Sequence, residues 1–312
     1  MNESVTNKPR GGTELLLENL RNCVRADALD GINLITSNTD PSLLKAGEIN
    51  VLWNHHSYDQ PAVANMRHQK YVDAIDYFVY VSHWQYEKFR MAFKIPEKKS
   101  IVIKNAIKTI ELLKKPPKLK LIYASTPWRG LSVLLDSFER LDRDHVELDI
   151  YSSTVIYGPE FHQQNKSTFE PLFDRARRMK NVNYKGYAPN EEVRVALQHA
   201  HILAYPSIWQ ETSCLTAIEA AMAGCQVVTT NFGALPETLA EWGTYVNIDG
   251  DEPALVQRYT AALQKSVDVF WTPQVQDQLQ AQHEYFRRFY TWDVRQHEWR
   301  DFFDSLKKTN GE

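Results

Sequence analysis

Two glutamates eight positions apart, Glu211 and Glu219, stand in the stretch AYPSIWQETSCLTAIEAAMAGCQVVTTNFGALPE. An apolar run, Ile202–Tyr205, reads as a strand. It passes through Pro206–Ser207 to Glu211, and Thr212 and Ser213 are placed to cap a helix that carries Glu219 two turns further on. The start of a helix presents unpaired N–H groups and partial positive charge, a seat for phosphate. A carboxylate beside that seat repels a bare anion but suits a ligand that carries hydroxyls joined to phosphate, as a nucleotide sugar does. Glu211 would then accept from sugar hydroxyls and Glu219 from a ribose diol, since an ionised carboxylate is an acceptor only. The alternative is two solvated carboxylates on a helix face.

Positioning such groups requires strand-to-helix loops, and the chain offers two series of them. The first has strands near Ile32–Thr36, Asn50–Trp53, Tyr77–Val81 and Ile101–Ile103, with helices near Thr13–Val24, Pro61–Tyr71 and His83–Phe93. The second has strands near Leu119–Tyr123, Val146–Tyr151, Val182–Tyr184, Ile202–Tyr205, Val227–Thr229 and Thr244–Val246. Alternation of this kind implies βαβ units with parallel sheets, which bind ligands at the carboxyl ends of their strands. The segment KTIELLKKPPKLK separates the two, because Pro116–Pro117 can continue neither a helix nor a central strand. After Asp251 the pattern is purely helical and ends in the aromatic-rich YFRRFYTWDVRQHEWRDFF, an amphipathic pair that requires a partner surface.

Composition narrows the function classes. A chain of 312 residues with 43% apolar and 12% aromatic content supports two cored domains. With 36 basic and 39 acidic side chains and a formal charge of −3, no field favours nucleic acid. Cys23, Cys214 and Cys225 form no C-x-x-C, so neither a disulfide framework nor a structural zinc is expected. No apolar run reaches the ~18 residues of a membrane span, and MNESVTNKPR has no leader pattern, so a cytoplasmic protein is expected. Lys88, Arg90, Lys94, Lys98, Lys99 and Lys104, interleaved with Trp84, Phe89 and Phe93, raise weak docking on the membrane's inner face as an alternative to a solvated basic face.

The stretch resembles glycosyltransferase family 4, whose E-x7-E motif has the spacing of Glu211 and Glu219. The surrounding phrase fits too: Pro206–Ser207 before it, Glu219–Ala220 with Met222–Ala223–Gly224 within it, and Gly233 with Pro236–Glu237 after it. Further similarity lies in GGTELLLENL, VYVSHWQ, IVIKNAI, YASTPWRGLSVLLDSF, VNYKGYAPNEEVRVAL and YTWDVRQHEW, spread over most of the chain. The resemblance implies a GT-B fold: two Rossmann-like domains with parallel sheets facing across a cleft, the first abbreviated, and C-terminal helices crossing back. Expected bounds are 1–107 for the acceptor domain, 108–285 for the donor domain and 286–312 for the returning helix.

The resemblance also implies a retaining hexosyltransferase that moves sugar from a UDP- or GDP-linked donor to a sugar, lipid-linked or other hydroxyl, with neither metal nor cofactor. Carried over by position, Glu211 and one of His55 and His56, preferably His55, are catalytic. Donor binding falls to Arg129, Glu219, Thr212, Ser213, Cys214, Gly186, Tyr187, Gly11 and Gly12. Asp59 and Ser82 are acceptor-side candidates that could equally be structural, as could the histidines. Adjacent His55 and His56 lack a third ligand at metal spacing.

Two departures stand out. Ala124 occupies the place of the family's second basic residue, so Arg129 and the helix terminus suffice, or Lys185 or Lys104 substitutes, or activity is weakened. Ser152–Ser153 stand where a Gly-x-Gly turn is common. These departures keep open a second reading, a non-catalytic nucleotide-sugar or carbohydrate binder. Only Met1 and Val5 are apolar before Gly11, so the first strand is expected to be rudimentary or absent.

Overall fold

The computed structural model describes residues 11–142 and 144–309. The expectation about a first strand before Gly11 lies outside the described residues.

Alternation along two strands sets the first domain. In β2 (Ile49–Asn54), Val51 and Trp53 join one buried cluster while Leu52 joins another, and β3 (Tyr77–Tyr80) divides Val79 from Phe78 and Tyr80 in the same way. Side chains on successive residues of a strand point to opposite faces, so both faces of this sheet must be covered. The sheet is parallel, in the order β1-β2-β3-β4, with β1 at Ile32–Thr36 and β4 at Ser100–Val102.

One face is covered by short α2 (Gln69–Ala74) and by α3 (His83–Phe93), which bury Tyr71, Val72, Phe89 and Phe93. The helix expected over Pro61–Tyr71 is instead a 3-10 segment, Pro61–Arg67, kinked at Val63 and followed by α2. Phe89 and Phe93 are buried in the core and face the sheet, whereas Trp84 is half-buried. No helix among the described residues is long and apolar enough to cross a membrane.

The other face is covered by α1 (Gly12–Cys23) and by α11 (Trp292–Thr309), the last helix of the chain. Leu16 and Leu20 of α1 meet Trp292, Trp299, Phe302, Phe303 and Leu306 over Val51, Trp53 and Val79. The crossing falls at Tyr290–Trp292: Ile107 N–H donates to the Tyr290 carbonyl at 2.8 Å, and Trp292 N–H donates to the Ile107 carbonyl at 3.2 Å. The outgoing and returning strands of chain are therefore paired. The linker's far end is fixed by half-buried Lys115, whose ammonium donates to the Gln198 carbonyl at 3.1 Å and the Ala223 carbonyl at 2.7 Å.

The second domain alternates β5 (Leu119–Ala124), α4 (Leu131–Arg140), β6 (Val146–Tyr151), α5 (Pro159–Arg178), β7 (Val182–Tyr184) and α6 (Asn190–His199). It continues with β8 (Ile202–Tyr205), α7 (Leu215–Met222), β9 (Gln226–Thr230), α8 (Leu235–Leu239) and β10 (Gly243–Val246). Helices α9 (Glu252–Val269) and α10 (Pro273–Phe289) close it. Its parallel sheet runs β10-β9-β8-β5-β6-β7. The order reverses between β5 and β8, and at such a switch point the carboxyl ends of neighbouring strands leave a crevice.

Trp299 is fully buried with its ring 4.7 Å from that of Trp53. Trp299→Ala should destabilise the first domain by about 3–5 kcal/mol, read as a lowered denaturant midpoint. An unchanged midpoint would mean that α11 is dispensable to this core.

Candidate active site

Two loops leave the switch point, and glycines press them together. From β5 the chain makes a turn at Pro127–Arg129 and enters Gly130 at φ +111°; a Cβ there would lie 2.0 Å from the Pro206 carbonyl oxygen at the end of β8. Gly233, at φ +65°, approaches Glu211 so closely that a Cβ would lie 2.6 Å from its backbone nitrogen. No larger residue could hold either position without displacing backbone. Arg129 and Glu211 are thereby brought together.

Glu211 is 5% exposed, and one carboxylate oxygen accepts from Arg129 Nη1 at 2.8 Å and from the Tyr205 hydroxyl at 2.5 Å. Burial, followed by the Glu211 charge, raises the Tyr205 phenol well above its ordinary value, so it stays a donor. Burial opposes the Arg129 charge, but acidic neighbours led by Glu211 carry the guanidinium well above its ordinary value. Arg129 also lies over the Trp209 ring, 5.7 Å from its centroid, and its buried Nε has no hydrogen-bond partner. Tyr205 and Trp209 went unnoticed in the sequence, although both flank Glu211 in the same strand and loop.

Thr212 and Ser213 do not cap the following helix. The chain enters α7 through Cys214 in the left-handed region at φ 63°, and no side chain caps it. Thr212 is used elsewhere: its hydroxyl donates across the cleft to the His55 carbonyl at 2.9 Å. The start of α7 faces that of α1, where a Cβ on Gly12 would lie 3.1 Å from Leu215 Cδ1. Gly11 takes the position before α1 in extended conformation. Two helix amino termini, each partly positive, thus converge on the cleft.

On the first-domain side, His55 follows β2. Its Nδ1 is 2.8 Å from the Ser37 hydroxyl, its ring is 4.6 Å from that of Trp53, and its Nε2 is buried without a hydrogen-bond partner. Burial and then the neighbouring His56 pull it down to about 3, so the ring is neutral at ordinary pH. His56 turns to Gln60, Nδ1 to Oε1 at 2.7 Å, and does not share the cluster. Exposed Asp59 accepts from Gln210 Nε2 at 2.8 Å, again across the cleft. Ser82 is buried and caps α3 by accepting from Gln85 N–H at 3.1 Å, a structural task.

The remaining donor-side candidates lie apart from that cluster. Glu219 is 7% exposed and 3.5 Å from Arg194 Nε of α6. Gly186, at φ +69°, and half-buried Tyr187 form the loop after β7. No three His, Cys, Asp or Glu side chains converge as metal ligands among the described residues. Lys104 pairs with Glu237 at 3.5 Å, and Lys185 is exposed in the loop after β7.

Burial, only partly offset by Arg194, pushes Glu219 from 4.5 up to about 7. Between those values the folded state keeps a proton that the unfolded chain has lost, so this group makes stability fall as pH rises, by about 3 kcal/mol overall. Glu219→Gln should therefore gain stability relative to the parent between pH 5 and pH 8. Parallel stability–pH curves in urea titrations would contradict this.

The family model described as "Glycosyl transferases group 1" matches residues 103–278. A D-inositol 3-phosphate glycosyltransferase of Corynebacterium efficiens is 31% identical over 131 residues, 41% of this chain and 30% of that protein. An MMP alpha-(1->4)-mannosyltransferase of Mycolicibacterium hassiacum is 30% identical over 147 residues, 46% and 33% of the two chains. This chain thus matches about a third of the length of those curated relatives. Among solved structures, a glycosyltransferase from Rickettsia africae superposes with TM-score 0.68 at 13% identity, over 99% of this chain and 84% of the other. HepE of Anabaena, solved with UDP and glucose, superposes with TM-score 0.69 at 15% identity, over 88% and 78%. The fold is GT-B, and with the family model spanning more than half its length, the chain belongs to the group 1 glycosyl transferases.

Proposed function

We propose that this protein transfers a sugar from a nucleotide diphosphate sugar to an acceptor hydroxyl, with retention at the anomeric carbon and without a metal ion. The reading rests on one observation above all. The Arg129–Glu211–Tyr205 cluster, its glutamate and tyrosine buried and its arginine partly open, lies at the switch point, beside the uncapped start of α7 and opposite the His55 carbonyl. Arg129 can grip phosphate oxygens once it is released from Glu211, and Glu211 can then accept from the hydroxyls of the sugar. The relatives support the donor class, since HepE was solved with UDP and glucose and the curated relatives are glycosyltransferases.

The reaction breaks the bond between the anomeric carbon and the phosphate oxygen and forms one to the acceptor oxygen on the same face. The acceptor's proton passes to the departing phosphate oxygen. Charge developing on the diphosphate falls to Arg129 and the amino termini of α7 and α1, held in place beforehand. Neutral His55 borders the sugar through its main-chain carbonyl and its ring. Ala124, in place of a second arginine, leaves Arg129 as the side-chain cation at this strand end.

Glu211→Ala should abolish transfer, at least about a hundredfold in kcat, whereas Glu219→Ala should chiefly weaken nucleotide binding. Full turnover by the Glu211→Ala protein would sink the assignment. Transfer should survive chelation; activity lost to a chelator and restored by Mg²⁺ or Mn²⁺ would refute the metal-free reading. A thermal-shift screen of UDP, GDP, ADP and their sugars names the donor, because a ligand that binds only the folded state raises Tm. Nucleotide binding with neither transfer nor hydrolysis would instead favour the binder that Ala124 keeps open.

A further inference from the structure

We propose that Glu237 is a positioning residue, a latch by which the donor domain caps a helix of the acceptor domain and so aligns the two halves of the site. Glu237 lies in the first turn of α8, in the second domain. One of its carboxylate oxygens accepts from the His83 N–H at 2.9 Å, and the other accepts from the Trp84 N–H at 2.8 Å. Those are the first two N–H groups of α3, in the first domain. The Nδ1 of His83 is 3.0 Å from the same carboxylate, and the Lys104 ammonium is 3.5 Å away. Ser82, from α3's own domain, satisfies only Gln85 N–H, so the cap is completed from across the cleft.

Both ends of this contact lead to the site. On the donor side, the segment before α8 is tied to the loop carrying Glu211, because Ala234 N–H donates to the Glu211 carbonyl at 2.7 Å. On the acceptor side, Gln85 of α3 donates from Nε2 to the carbonyls of Asn54 at 3.1 Å and His56 at 2.8 Å, on either side of His55. A chain of short bonds therefore runs from Glu211 through Glu237 and α3 to His55. A carboxylate at a helix amino terminus with a lysine beside it is a charge-assisted contact, and it is 22% exposed, so it can form and break as the cleft closes and opens. Glu237 reaches the reaction only through these neighbours.

The catalytic consequence rests on the transfer proposed above, whereas the closure itself does not, and the experiment separates them. Small-angle scattering on the full chain, with and without UDP or GDP, should give a larger radius of gyration for Glu237→Ala and Glu237→Lys than for the parent, with Glu237→Gln between. With UDP-glucose or GDP-mannose as donor probes, kcat should fall by about tenfold to a hundredfold, while the Kd for the free nucleotide stays near the parent's. Rescue of kcat in Glu237→Gln relative to Glu237→Ala would point to the cap rather than to general loosening. Superimposable scattering curves for all four proteins would overturn the latch. A parent that turns over neither probe, yet opens on substitution of Glu237, would count against these two donors and keep the latch.

Discussion

A carboxylate that is almost wholly buried must be paired, and that requirement organises the second domain. Glu211 is held by Arg129 and Tyr205, and each of the three reaches the switch point from the end of a central strand or from the loop that follows one. The pairing works only because Gly130 and Gly233 let three loops approach to backbone contact. It also stores the machinery in a self-neutralised form. Glu211 is almost wholly buried while Arg129 keeps about a quarter of its side chain open, so the cost of separation falls mainly on the carboxylate, and the pair parts most readily when other donors reach Glu211 as another anion reaches Arg129. A ligand that carries both phosphate and hydroxyls meets that condition, and a bare phosphate does not.

A second constraint comes from the size of the first domain. Its sheet, four-stranded among the described residues, is apolar on both faces, and α1 alone does not cover the face formed by Val51, Trp53 and Val79. The chain completes that face with α11, after it has built the whole second domain. The last helix is thus part of the first domain's core, and Trp299 against Trp53 links it to the ring of His55. Because the outgoing and returning chains pair at Ile107 and at Tyr290–Trp292, the two domains are joined at one narrow place.

Strand-scale periodicity carried much of this architecture in the sequence: the strands at Ile32–Thr36, Val146–Tyr151, Val182–Tyr184 and Ile202–Tyr205 coincide with the observed ones. The segment Pro61–Tyr71 was misread as one helix because its apolar spacing says nothing about the kink at Val63. The spacing of Phe89 and Phe93 leaves a core-facing and a lipid-facing helix both open, because the two faces have the same pattern; the sheet beneath places both residues in the core. The resemblance located Glu211 and Arg129, but not that they bind each other. Pairing across loops more than eighty residues apart leaves no local signal. The same holds for Thr212, which reads as a helix cap but bonds to a carbonyl of the other domain.

Several polar contacts cross the cleft. Thr212 to His55, Gln210 to Asp59 and Glu237 to the start of α3 are all polar, and the last two are partly open to solvent. The close apolar approach between Gly12 and Leu215 is small by comparison with either core. Hydrogen bonds of this sort contribute about 0.5–1.5 kcal/mol each, somewhat more when charged, so the closed arrangement is held by a few kcal/mol rather than by a hydrophobic core. That is within the range a bound nucleotide can add or withhold by contacting both domains in only one state. Two halves, each with its own core, joined at one narrow crossing and fastened mainly by polar contacts, can therefore part and close without disturbing either core.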